Sequence, residues 1–169
     1  MDIATSKPAG HPTTLSDWLA AGVATVGGAG FLPKAPGTAG AAVGVLLYLG
    51  IERVHDGAYY LHAIILLLVA GTWASWRVEH FWGHDSQRIV IDEVVGQMIT
   101  FAFTAGRIKL PWPDVIAGFA LFRLFDIIKP FPVRRLERLQ SGVGVMADDV
   151  GAGLYALALL TVIRSVSGR

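Results

Sequence analysis

The hydrophobic residues of this chain fall in long uncharged blocks, and the polar residues are gathered between them. From 58 to 76 the segment AYYLHAIILLLVAGTWASW carries no charge and places Tyr59, Tyr60, Trp73 and Trp76 near its ends. A helix needs about 20 apolar residues to cross a hydrocarbon core of about 30 Å, and aromatic side chains favour its two interfaces. This block is therefore expected to be a transmembrane helix. Shorter apolar runs cover 18–32, 38–51, 94–106, 115–124 and 151–163. The first is glycine-rich (AAGVATVGGAG) and is followed by Pro33 and Pro36, which predicts a re-entrant or interfacial segment. Lys7 is the only basic residue ahead of it, so no cleaved signal peptide is expected.

Composition sharpens the class. Among 169 residues, 53% are apolar and 16% charged, against about 25% charged in an average soluble domain, and the mean hydropathy is +0.53. So many apolar runs leave too little polar surface for a soluble fold of this size. The reading is an all-α, small multi-span membrane protein. Residues 1–16 form a polar, poorly ordered N-terminus, and 17–169 form a single helical domain. The net charge of +1 argues against coating a nucleic acid, which needs a marked basic excess. With no cysteine, thiolate chemistry is excluded. The sequence sets no oligomeric state.

If each run from Thr38 onward crosses once, segments 30–40, 77–93 and 126–149 share one side of the membrane. That side holds Lys34, Arg77, Arg88, Lys129, Arg134, Arg135 and Arg138, against Arg53, Arg107, Lys109, Arg164 and Arg169 opposite. The positive-inside rule then turns this face to the cytoplasm.

Four motifs lie there. The first, GFLPKAPGTAG (30–40), sets Lys34 and Thr38 among glycines and prolines before a helix, an arrangement suited to phosphate. The second, DEVVGQ (92–97), opens an apolar run with Asp92 and Glu93, carboxylates placed where an unpaired charge is expensive. In the third, FRLFDIIKPFP (122–132), Arg123 and Asp126 share a helix face, and Lys129 stands before the helix-ending Pro130. The fourth, GVGVMADD (142–149), opens the last run. There one of Asp148 and Asp149 is expected to cap the helix, and the glycines are expected to form a loop.

Five carboxylates (Asp92, Glu93, Asp126, Asp148 and Asp149) without cysteine form the ligand set of a hard cation such as Mg²⁺. Arg123 is suited to orienting a phosphoryl group, and Lys34 or Lys129 to neutralising it. Together these residues imply metal-dependent phosphate chemistry at a membrane surface. His80 and His84, four apart, form a weaker zinc pattern.

The four motifs FLPKAPGTAG, IVIDEVVGQ, FRLFDIIKPFP and GVMADD, in this order, resemble the phosphatidylglycerophosphatase A family, bacterial magnesium-dependent lipid phosphatases. The resemblance covers about 30–153. It implies an inner-membrane enzyme that takes the terminal phosphate from phosphatidylglycerophosphate, with Mg²⁺ as cofactor and the acidic motif residues required. It also adds Asp85 as a lesser metal candidate. Two positions depart from the family pattern: Ala41 stands where a serine is common, and Ser86 where a proline is common. Two rival classes are a phosphotransferase using a nucleotide-activated lipid, of the CDP-alcohol type, and a non-enzymatic membrane cation transporter. The Asp-Gly-x-x-Ala-Arg pattern of the former is missing.

Overall fold

The structure, a computed structural model of the chain, describes residues 10–52, 57–83, 86–104, 109–136, 139 and 141–168. Among them the regular secondary structure is entirely helical. The helices are α1 (Leu15–Ala24), α2 (Pro36–Glu52), α3 (Gly57–Trp82), α4 (Ile91–Thr100), α5 (Trp112–Ile128), α6 (Val133–Leu136) and α7 (Ser141–Val166).

Two helices, α3 and α7, are long and apolar enough to cross a membrane. Most of α3 is uncovered by the rest of the chain, and Leu61, Ile65, Leu66, Val69, Trp73 and Trp76 are exposed along it. The apolar helices α2 and α5 have 17 residues each, at the short end of a span. The run at 94–106 differs from the one-run, one-crossing expectation. Its helix α4 has ten residues, about 15 Å of rise, and gives way to turns at Phe101–Thr104.

That short helix is the centre of the fold. Ile91, Asp92 and every residue from Val94 to Thr100 are buried, as expected of a helix enclosed on all sides. Its most extensive contacts are with α7 and α2. Glycines make them close: a Cβ on Gly40 would lie 2.6 Å from the Val90 carbonyl oxygen, and one on Gly44 2.8 Å from that of Val94. At the far end of α4, the Tyr60 hydroxyl donates to the Met98 carbonyl oxygen at 2.7 Å, satisfying an acceptor near the helix terminus. Ala41, fully buried, packs with Phe122, Ala152 and Ala156, a place that a small apolar side chain fits.

The run at 18–32 splits into the end of α1 and a 3₁₀ turn at Ala29–Phe31, joined through positive-φ residues Val26, Gly27 and Gly28. Thr14 caps α1 reciprocally with Asp17, so helix begins inside the N-terminal stretch; residues 1–9 lie outside the described set. Asp17 also accepts from Arg77 Nε at 2.8 Å, tying α1 to α3. Hydrogen bonds from the Thr14 side chain, from the Thr14 and Thr13 backbone and from Arg77 hold its carboxyl below the ordinary carboxylate value, against the opposing effect of burial.

Candidate active site

Each motif contributes through a different element, and the four meet at one end of the bundle. Val90 precedes α4, so Asp92 and Glu93 occupy its first turn, as the sequence implies. Arg123 and Asp126 lie in the last two turns of α5, and Lys129 ends it in the left-handed conformation, φ 47°, just ahead of Pro130.

Asp148 and Asp149 correct the sequence reading. α7 starts at Ser141, so both lie two turns inside the helix and neither is its N-cap. The glycines before them are helical because they are packing sites. A Cβ on Gly142 would strike the Thr72 carbonyl oxygen of α3, and one on Gly144 the carbonyl oxygen of Leu139.

A cavity of about 410 Å³ is lined by all five predicted acids together with Arg123 and Lys129. Ala35, Pro36 and Gly37 of the first motif close one side. Lys34 and Thr38 are outside this lining, Lys34 exposed and Thr38 half-buried. Asp85 and His84 lie outside the described residues, and His80 packs edge-on against Trp76 at 5.6 Å.

The acids fall into two groups. Asp92, Glu93 and Asp149 each offer a carboxylate oxygen within 4.8 Å of the others. Asp92 Oδ1 and Glu93 Oε2 are buried with no hydrogen-bond partner among the described residues, although buried polar atoms are normally satisfied. Asp126 instead pairs with Arg123 Nη1 at 2.7 Å, and Asp148 accepts from Lys129 Nζ at 2.6 Å. Arg123 reaches towards the first group as well, with Nη1 4.0 Å from Glu93. Three crowded carboxyl groups thus stand beside two cations held by neighbouring carboxylates. Such an arrangement could hold a multivalent cation on one side and an anionic group on the other.

The chain matches the phosphatidylglycerophosphatase A family over residues 22–164, which includes every one of these side chains. The chain belongs to that family. Phosphatidylglycerophosphatase A of Haemophilus influenzae is 37% identical over 139 residues, covering 81% of this chain and 83% of that protein. Phosphatidylglycerophosphatase A of Escherichia coli is 32% identical over 141 residues, 80% and 78% of the two chains. A protein of Bacteroides thetaiotaomicron with the provisional name phosphatidylinositol-3-phosphatase is 42% identical over 145 residues, 83% and 91%. No solved structure matches the chain.

For a member of the phosphatidylglycerophosphatase A family, the structure adds residues that the motif reading passed over. A Cβ on Gly37 would strike Glu93 Oε1, so this glycine admits the carboxylate to its place. Gln97, one turn beyond Glu93, is fully buried with neither amide atom hydrogen-bonded among the described residues. Both belong to the quoted motifs; their neutrality hid them from a search for charge.

Proposed function

We propose that this protein hydrolyses the terminal phosphate monoester of phosphatidylglycerophosphate to phosphatidylglycerol and inorganic phosphate, using Mg²⁺, at the cytoplasmic face of a bacterial inner membrane. The observation that carries this reading is the Asp92–Glu93–Asp149 cluster beside Arg123 and Lys129 in one open cavity, in a chain of this family. The exposed apolar flanks of α3 and α7 support membrane residence, since soluble monomers rarely leave such surface uncovered.

The donor set fits the metal. Oxygen ligands alone, with Asp92 Oδ1 and Glu93 Oε2 lacking a hydrogen-bond partner among the described residues, match a hard divalent ion. Asp92, Glu93 and Asp149 would hold it. When bound, Mg²⁺ supplies charge neutralisation at the phosphoryl oxygens and a lowered pKa for a nearby water.

The remaining work belongs to the chain's own groups. Arg123 offers the substrate phosphate a planar donor fork, aimed by Asp126, while Lys129, anchored by Asp148, adds a positive charge. A cluster carboxylate takes a proton from the attacking water as its oxygen bonds to phosphorus. The bond from phosphorus to the glycerol oxygen breaks, and that oxygen takes the proton back from the carboxylate and leaves as the free alcohol.

The test is phosphate release from phosphatidylglycerophosphate in mixed micelles, with and without EDTA, for the wild type and Asp149→Asn. Both removing the metal and substituting the aspartate should abolish turnover; full activity in either sample sinks the reading. Phosphatidylinositol 3-phosphate belongs in the same assay because of the Bacteroides relative's name. The two cations inside the acidic cavity weigh against a cation transporter, and a nucleotide requirement would revive the phosphotransferase.

A further inference from the structure

Beside the acidic cavity lies a second, larger cleft of about 790 Å³, and the two share Pro36, Ser86 and Gln87 as a common wall. Its chemistry is different. The carboxylates of the first cavity are missing from its lining among the described residues, and its charged member is Arg88. The Arg88 guanidinium lies 5.5 Å from the ring centre of Trp82 and 5.9 Å from that of Phe31, and the two rings meet edge to face. A guanidinium held over aromatic rings in this way keeps N–H donors that can serve an anionic acceptor. Arg88 is exposed, and no carboxylate pairs with it among the described residues.

The backbone under Arg88 is firmly set. A Cβ on Gly30 would strike the Arg88 carbonyl oxygen. Ile89 N–H donates to Ser86 at 2.8 Å, and Val90 N–H donates to the Ala24 carbonyl of α1 at 2.9 Å. An arginine on a fixed backbone, with no carboxylate partner among the described residues, faces a cleft contiguous with the acidic cavity.

We infer that the Arg88–Trp82–Phe31 cleft binds the internal phosphodiester of the phospholipid substrate, and that Arg88 selects for lipids carrying a diester as well as the scissile monoester. This rests on the proposed function for the identity of the substrate. Phosphatidylglycerophosphate carries two phosphates separated by a glycerol. The acidic cavity suits the terminal one, while the diester, singly charged, suits a single guanidinium.

Two measurements on the full chain in detergent test it. The first compares kcat/KM for dihexanoyl phosphatidylglycerophosphate, which has the diester, with that for dihexanoyl phosphatidic acid, which has only a monoester. Arg88→Ala should lower the ratio of the two by about 10- to 100-fold, through KM more than kcat, with Arg88→Lys in between. An unchanged ratio, whether both activities fall or neither does, overturns the inference. The second measures binding of dihexanoyl phosphatidylglycerol, which has the diester alone, by tryptophan fluorescence; Arg88→Ala should weaken it by a similar factor, and equal affinity overturns the inference. If the wild type releases phosphate from neither lipid, the proposed function fails, and the binding measurement still decides the role of Arg88.

Discussion

Gly96 of α4 and Gly153 of α7 cross backbone to backbone: a Cβ on Gly96 would lie 2.6 Å from the Asp149 carbonyl oxygen, and one on Gly153 would strike the carbonyl of Gly96 itself. Asp92 and Asp149 each stand four residues, about one turn, before these glycines, on the same helix faces. The crossing therefore sets the spacing of the carboxylate cluster. Gly153→Ala should force α7 away from α4, costing about 1–3 kcal/mol and lowering activity beyond the loss of folded protein. Thermal unfolding in detergent alongside specific activity checks this; a variant with wild-type activity per folded molecule would break the link between crossing and cluster.

The cluster itself predicts opposite stability effects with and without metal. In EDTA, Asp149→Asn removes one of three mutually repelling carboxylates, so its melting temperature should equal or exceed that of the wild type. With Mg²⁺ at about 100 times its Kd the wild type should gain about 2.7 kcal/mol, several degrees of Tm, and the variant much less. Differential scanning in the two buffers reads both, independently of catalysis.

Away from the site, Arg164 near the end of α7 pairs with Asp114 in the first turn of α5, both side chains buried. Each charge opposes the dipole of its helix end. Arg164→Met strands a buried carboxylate and should cost about 3–5 kcal/mol, with Asp114→Leu added to it restoring much of the loss. Urea unfolding of the single and double variants separates the pair's net worth from the cost of breaking it.

The docking of α1 depends on pH through Asp17. Its carboxyl is held below the ordinary value by Thr14, Thr13 and Arg77, so its contribution is fully present above the unfolded pKa of about 3.9 and fades as pH falls through the folded value. Hydrogen exchange of α1 amides should therefore be slower in the wild type than in Asp17→Asn at pH 6, with the difference shrinking towards pH 3. A difference that grows on acidification contradicts the assignment.

Much of the site could be read in the sequence because its chemistry is carried by charged residues in an apolar chain. Asp92, Glu93, Arg123, Asp126, Lys129, Asp148 and Asp149 all line the cavity. The Arg123–Asp126 pair needs only the three-residue spacing of a helix, and it forms at 2.7 Å. Local signals misled where glycine was concerned. Gly142 and Gly144 read as a loop before a cap, yet they are helical because their missing side chains let backbones approach.

Helical character, abundant apolar surface and four acidic or basic motifs of one chemistry are legible along the chain, because composition and helical period are local properties. Which acids crowd together and which are held by cations follows instead from how the helices assemble. Asp92 and Glu93 meet Asp149 across more than fifty residues of chain, Lys129 meets Asp148, and Arg77 and Arg164 find Asp17 and Asp114. Those partners are set by how closely the glycines of α2, α4 and α7 let the helices pack, a property of the assembled bundle that local spacing does not carry.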